Sequence, residues 1–245
     1  ARREINVLAL LAQSERNLRA GDARVGLDNA DGAIYLARAS GDSTVLVRAL
    51  LLAGQHLTQL ARYTDALLRL REALQIAASA PAIERAEVLA AHAALYLAVG
   101  AYARAFNDLA EARREAGTGD SAVLARVVEL IGRCRLQLGA FEDALQHYQE
   151  AFVIRMRLAL PVADTENAIG VAHLARGNHL RPTDPAAAQQ EFERAANLFL
   201  RAMDSAEAEH DRRATSLAVA NLAAARGSLG DLGEAEMLYR RHIRN

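Results

Sequence analysis

The chain has 245 residues, 52% of them apolar and 24% charged, which is enough to build a substantial core and excludes the composition of a disordered chain. Lys and Arg together number 29 against 30 Asp and Glu, a formal charge of -1, so no global field draws a polyanion and nucleic acid is excluded as a direct partner. One cysteine, Cys134, rules out an internal disulfide and a thiolate cluster, and the apolar runs Val45 to Gly54 and Ala86 to Val99 are broken by Arg48, Glu87 and His92 before the roughly 20 residues that cross a bilayer, so a cytoplasmic setting with no membrane contact is expected.

Ala, Leu, Arg and Glu dominate, Pro is limited to 4 residues, and every basic residue is Arg, a mix that favours helix throughout and suits a GC-rich bacterial source. In chain order, six helix-pair units are expected near residues 4–40, 43–79, 82–118, 121–158, 162–207 and 210–245. The first runs from Ala20-Gly21 to Gly26 and Ala33, with Gly26 standing where later units have alanine. The next three share one segment: Leu60-Ala-Arg-Tyr63-Thr-Asp-Ala66, Val99-Gly-Ala-Tyr102-Ala-Arg-Ala105 and Leu138-Gly-Ala-Phe141-Glu-Asp-Ala144, their last alanines 39 residues apart both times. Seven residues after each comes Ala73, Ala112 or Ala151, two turns on along one helix face, and twelve residues before each comes Gly54, Ala93 or Gly132 on the preceding helix. Two helices must approach closely at these points.

The fifth unit runs through Ile169-Gly170 and Arg176-Gly177 to Ala188, Phe192 and Ala195, with an insertion, His179 to Asp184, expected between its helices. The sixth follows from Leu229-Gly230-Asp231 to Ala235 and Tyr239. Asp42-Ser43-Thr44 and Asp120-Ser121 read as N-caps, and Pro81 and Asp184-Pro185 suit a first helical turn. Gly100, Gly139, Gly177 and Gly230 read as isolated turn glycines ending the first helix of a pair, not as a phosphate-cradling loop.

These residues resemble the tetratricopeptide repeat, whose signature is a small residue in the first helix, then Leu-Gly-x-Tyr, then Ala, an aromatic and Ala down the second. The fit is closest at Ile131-Gly132, Leu138-Gly139-Ala140-Phe141, Ala144, Tyr148 and Ala151. The resemblance covers nearly the whole chain and implies an all-α, right-handed superhelical solenoid of six antiparallel helix pairs, forming a single domain over 1–245. A period near 39 departs from the commoner 34, and it resembles arrays of bacterial regulatory proteins that sit beside a transcription-factor, ATPase or diguanylate cyclase domain. A chain that opens at Ala1 without methionine and stops inside a helical pattern at Asn245 is expected to be a fragment of a longer protein.

In such a stack the first helices line a groove. By offset from the anchoring alanines its inward side chains are expected to include Arg48, Gln55, Gln59, Glu87, Arg126, Glu129, Arg133 and Gln137, continued by Asn167 and Asn221. Arg126 and Arg133 lie seven apart with Glu129 between them, so either the arginines clamp a partner carboxylate or Glu129 pairs with both. A protein or peptide partner held in this groove is the leading expectation. The alternative is a regulatory or dimerisation arm, with Leu232, Met237, Leu238 and Ile243 of the last helix as a self-association surface.

The seven histidines, at 56, 92, 147, 173, 179, 210 and 242, include no two at i+3 or i+4, so no helix offers a metal-binding pair. Cys134 between Arg133 and Arg135 reads as a small core residue, and no Ser or Cys has an evident base and orienting group. No cofactor and no catalysis is expected.

Overall fold

The computed structural model describes the backbone of residues 2–244 and the side chains of residues 7–240; among these are twelve helices and no strand. They are α1 (Arg2–Ala20), α2 (Ala23–Ser40), α3 (Ser43–Gln59), α4 (Tyr63–Ala77), α5 (Ala82–Ala98), α6 (Tyr102–Ala116), α7 (Ala122–Gln137), α8 (Phe141–Arg157), α9 (Ala163–Leu180), α10 (Pro185–Ala208), α11 (Arg212–Ser228) and α12 (Leu232–Arg244). The chain divides into two compact units, Ala1–Gly119 with α1 to α6 and Asp120–Asn245 with α7 to α12, and each is a stack of three helix pairs.

Local chemistry sets the boundaries. Asp42, Ser121, Asp184 and Asp211 cap α3, α7, α10 and α11 by accepting from the backbone N–H three residues on, at 2.9 to 3.0 Å. Within a pair the turn closes with a left-handed residue: Gly100 at φ 74°, Gly139 at 76° and Gly230 at 86°. The following N–H then reaches back five residues, Ala101 to Tyr96, Ala140 to Arg135 and Asp231 to Arg226, at 2.8 to 3.0 Å. Arg62 makes the same bond to Leu57 at 2.9 Å, but there the left-handed residue is Ala61, at φ 57°. A Cβ in that region costs about 1–2 kcal/mol, and glycine returns about 0.4–1 kcal/mol of that through the freer unfolded chain. Ala61→Gly is therefore expected to stabilise the protein by about 0.5–1 kcal/mol in urea unfolding, whereas Gly100→Ala lowers stability by a similar amount.

The recurring small residues are where helices touch. Ala66, Ala105 and Ala144, with Ala73, Ala112 and Ala151, are fully buried. A Cβ on Gly54 would lie 2.5 Å from Leu70, and one on Gly132 2.9 Å from the Tyr148 ring. Larger residues there would force the pair apart.

Two expectations are corrected. Gly177 ends no helix: it lies inside α9, where a Cβ would come within 2.5 Å of the Phe192 ring, so it serves the same close approach as Gly54 and Gly132. Nor does an irregular loop run from His179 to Asp184. His179 and Leu180 belong to α9, whose 18 residues pair with the 24 of α10, and only 181–184 turn the chain. The extra residues become added helix, held by His179 against Phe141 at 5.4 Å between ring centroids and by Arg181 over the Phe192 ring at 4.7 Å.

Candidate functional site

In each unit the first helices of successive pairs touch, α1 to α3 to α5 and α7 to α9 to α11, while the second helices make no comparable packing contact. Between α2 and α4 run the surface ion pairs Arg69–Asp31 at 3.1 Å and Arg38–Glu72 at 2.5 Å. Closer spacing on one side makes the first helices the inner face of each unit.

In the first unit Arg48 is exposed and Gln55 half-buried on α3, and Glu87 is half-buried on α5 with no hydrogen bond or ion pair among the described residues. Arg48 is tied through two nitrogens to Glu15 of α1. Gln59 is exposed near the end of α3 and borders a recess beside the α1–α2 turn, with Gly21 to Val25 and Leu60.

The second unit carries Arg126, Glu129, Arg133 and Gln137 on α7, and Glu129 is engaged by neighbouring helices. Its carboxylate accepts from Thr165 of α9 at 2.9 Å and pairs with Arg155 of α8 at 3.2 Å. Arg133 is exposed and has no hydrogen bond or ion pair among the described residues. Asn167 is buried, and it accepts from Asn221 of α11 at 2.8 Å, so these two tie first helices to each other and do not line an open surface. Asp164 of α9 is held by Arg213 of α11 at 2.8 and 3.0 Å. Near these ties Ala168 and Val171 of α9 pack on the clusters around Tyr148 and Phe199, Ala175 of α9 is half-buried, and Leu217 of α11 is 40% exposed.

Of the self-association candidates, Leu232 and Met237 stand out at 71% and 67% exposure, whereas Leu238 packs on the cluster of Phe199, Leu222 and Ala225. Leu238 therefore contributes to the core. The side chain of Ile243 lies outside the described residues.

Several buried polar clusters escaped the sequence, among them those of His56, Glu166 and Glu191. His56, fully buried, places its Nε2–H against both Oγ and O of Ser14 at 3.0 and 3.2 Å, while the Ser14 hydroxyl donates to the Gly26 carbonyl at 2.9 Å. Its Nδ1 has no partner among the described residues, so the ring is the neutral Nε2–H form, and burial pushes its pKa below the ordinary value. Glu166 is satisfied by Arg201 at 2.6 Å and Ser205 at 2.7 Å. Glu191 accepts from His173 Nδ1 at 2.7 Å, Arg176 at 2.8 Å and Arg194 at 2.6 Å. Burial opposes ionisation of Glu191, but the hydrogen bonds and charges of His173 and Arg176 outweigh it and hold the carboxyl below its usual range. For His173 burial wins and lowers the pKa despite Glu191.

Cys134 is buried, and burial raises its pKa against the charge of Arg135. Among the described residues no group of three His, Cys, Asp or Glu could hold a metal ion, and no helix is long and apolar enough to cross a membrane.

No family model and no curated protein matches the chain in sequence. Solved structures do match in fold. BtubC from P. vanneervenii is 21% identical, over 97% of this chain and 90% of that one, with a TM-score of 0.60. A Rap protein complexed with competence and sporulation factor is 13% identical, over 98% and 74%, with a TM-score of 0.63. A signal transduction ATPase with numerous domains from Pyrococcus horikoshii, which carries a tetratricopeptide repeat sensor, is 14% identical at a TM-score of 0.60; the match takes in 94% of this chain but 36% of that one. The chain has the tetratricopeptide-like solenoid fold.

Proposed function

We propose that the chain is a non-catalytic, cytoplasmic interaction module, one repeat array over 1–245, that holds a peptide or helix of a partner protein against its inner face. The observation that carries this reading is the inner face of α7, α9 and α11. Its polar residues Glu129, Thr165, Asn167 and Asn221 are tied to one another or to neighbouring helices, yet Arg133 and Leu217 remain presented to solvent. A surface whose polar side chains are tied between helices but which still exposes a charged and an apolar group is suited to a partner helix. The Rap protein of this fold, complexed with competence and sporulation factor, supports the reading.

Selection from a displayed library of random peptides of about 16 residues, long enough for four helical turns, tests it on the full chain. The selected peptides are expected to bind Leu217→Arg at least about tenfold more weakly, as truncating or charging an interface centre does. They should bind unchanged to Leu68→Arg, at a position 62% exposed on the second-helix side. Peptides that lose binding to Leu68→Arg and keep it with Leu217→Arg would refute the reading.

A second reading, favoured by the repeat sensor of the signalling ATPase and by the exposed Leu232 and Met237, makes the array a regulatory or dimerisation arm of a bacterial signalling protein. Light scattering tests the dimerisation arm: a homodimer that Met237→Glu converts to monomer supports it, and a wild-type monomer at all concentrations removes self-association through this surface.

A further inference from the structure

Resting on the groove reading, the geometry points to a specific partner chemistry for the second unit: an amphipathic helix whose apolar stripe is flanked by carboxylates. The sign comes from how the acids of this face are spent. Glu129 is the carboxylate nearest in sequence to Arg133 on the shared stripe of α7, yet it leans away to Arg155 at 3.2 Å and Thr165 at 2.9 Å. Asp164, on the exposed stripe of α9, is bound through both oxygens by Arg213. Each of these acids is already neutralised by an arginine, and Arg133 is left over as an exposed cation with no ion pair among the described residues. A guanidinium in that position presents a planar fork of N–H donors matched to a carboxylate.

The shape comes from what stands beside it. Ala175 on α9 and Leu217 and Ala224 on α11 supply an apolar floor on the same first-helix face, with Val171 anchored beneath it on the core cluster of Phe199 and Leu222. Helices pack about 8–10 Å apart, so three first helices side by side offer a strip about 20 Å wide, room for one helix of about 10 Å diameter lying on the floor with its acidic flank toward α7. A basic helix would set like charges against Arg133, which costs affinity and suppresses that partner. An extended acidic segment without an apolar stripe would leave the floor uncovered.

The same library selection reads this independently of the groove itself. Expected are peptides with an apolar stripe at i, i+3 and i+4 spacing and net negative charge, whose affinity falls at least about tenfold between about 50 and 300 mM salt as screening shortens. Arg133→Glu should weaken them at least about tenfold, Arg133→Lys much less, and the charge reversal Arg24→Glu on exposed α2 not at all. A peptide with its Glu residues changed to Lys should prefer the Arg133→Glu chain. Thermal melting of Arg133→Glu should match the wild type, since the side chain is exposed and unpaired. Peptides that depend on Leu217 but show no acidic bias would overturn the charge selection and leave groove binding intact, whereas peptides indifferent to Leu217→Arg would overturn both.

Discussion

Gly26→Ala is expected to destabilise the first unit by about 2–4 kcal/mol in urea unfolding, although alanine is the better helix former by about 1 kcal/mol. The added methyl carbon would sit 2.1 Å from Cε1, 2.3 Å from Nε2 and 2.7 Å from Nδ1 of His56. A flexible side chain could swing clear, but this one is a rigid ring with no exposed surface, held by Ser14. Moving it breaks its bonds to Ser14 and strains the three-helix contact of α1, α2 and α3, leaving buried polar groups unsatisfied. Gly227→Ala in α11 is the control, because there the nearest atom, the Ala235 methyl, is 4.0 Å away. That change should stabilise by up to about 1 kcal/mol. A double-mutant cycle localises the cause: His56→Ala should cost clearly less in the Gly26→Ala background than alone. Equal effects of Gly26→Ala and Gly227→Ala would show that ring contact is not what requires the glycine.

This glycine shows which parts of the fold could be read in the sequence. The alanines at 66, 105 and 144 recur at fixed offsets, and a fixed offset on a helix is a fixed direction, so their burial follows from periodicity alone. Gly26 occupies the same place in the first unit, and a glycine replacing an alanine at a helix contact signals a bulkier partner opposite. That partner, His56, lies 30 residues on and belongs to the next pair, outside any local pattern. Gly177 failed for a different reason. A turn glycine and a packing glycine look identical in sequence, and what separates them is whether the chain beyond continues as helix, which here is settled by Phe192 packing on it. The inner face was legible as a stripe but not as a surface. Arg48 and Arg133 follow from helical phase, whereas the exposed Leu217 escaped the sequence, and the pairing of Glu129 with Thr165 and Arg155, and of Asn167 with Asn221, joins residues up to 54 apart and depends on how helices lean.

Acidification is expected to weaken the first unit through His56. Its folded pKa lies below the ordinary 6.5, so above that value the ring is neutral in both folded and unfolded chains and the full stability is present. As pH falls below 6.5 the unfolded chain takes up a proton that the folded chain refuses, because a second ring N–H would point Nδ1 at a site with no acceptor. Stability should then drop by up to about 1.4 kcal/mol per pH unit until the folded pKa is reached. No charged side chain offsets this, since the causes acting on the ring are burial and the Ser14 backbone bond. His173 adds a loss of the same sign in the second unit, and Glu191 adds one at lower pH, as its depressed carboxyl finally takes a proton. The two units are separated by amide hydrogen exchange, with protection in α1 and α2 followed against that in α9 and α10 from pH 8 to 5. His56→Gln keeps an N–H for Ser14 and removes the titration, so protection in α1 and α2 should become nearly independent of pH over this range while α9 and α10 keep their dependence. An unchanged pH dependence of α1 and α2 in His56→Gln would assign the acid sensitivity to some other group.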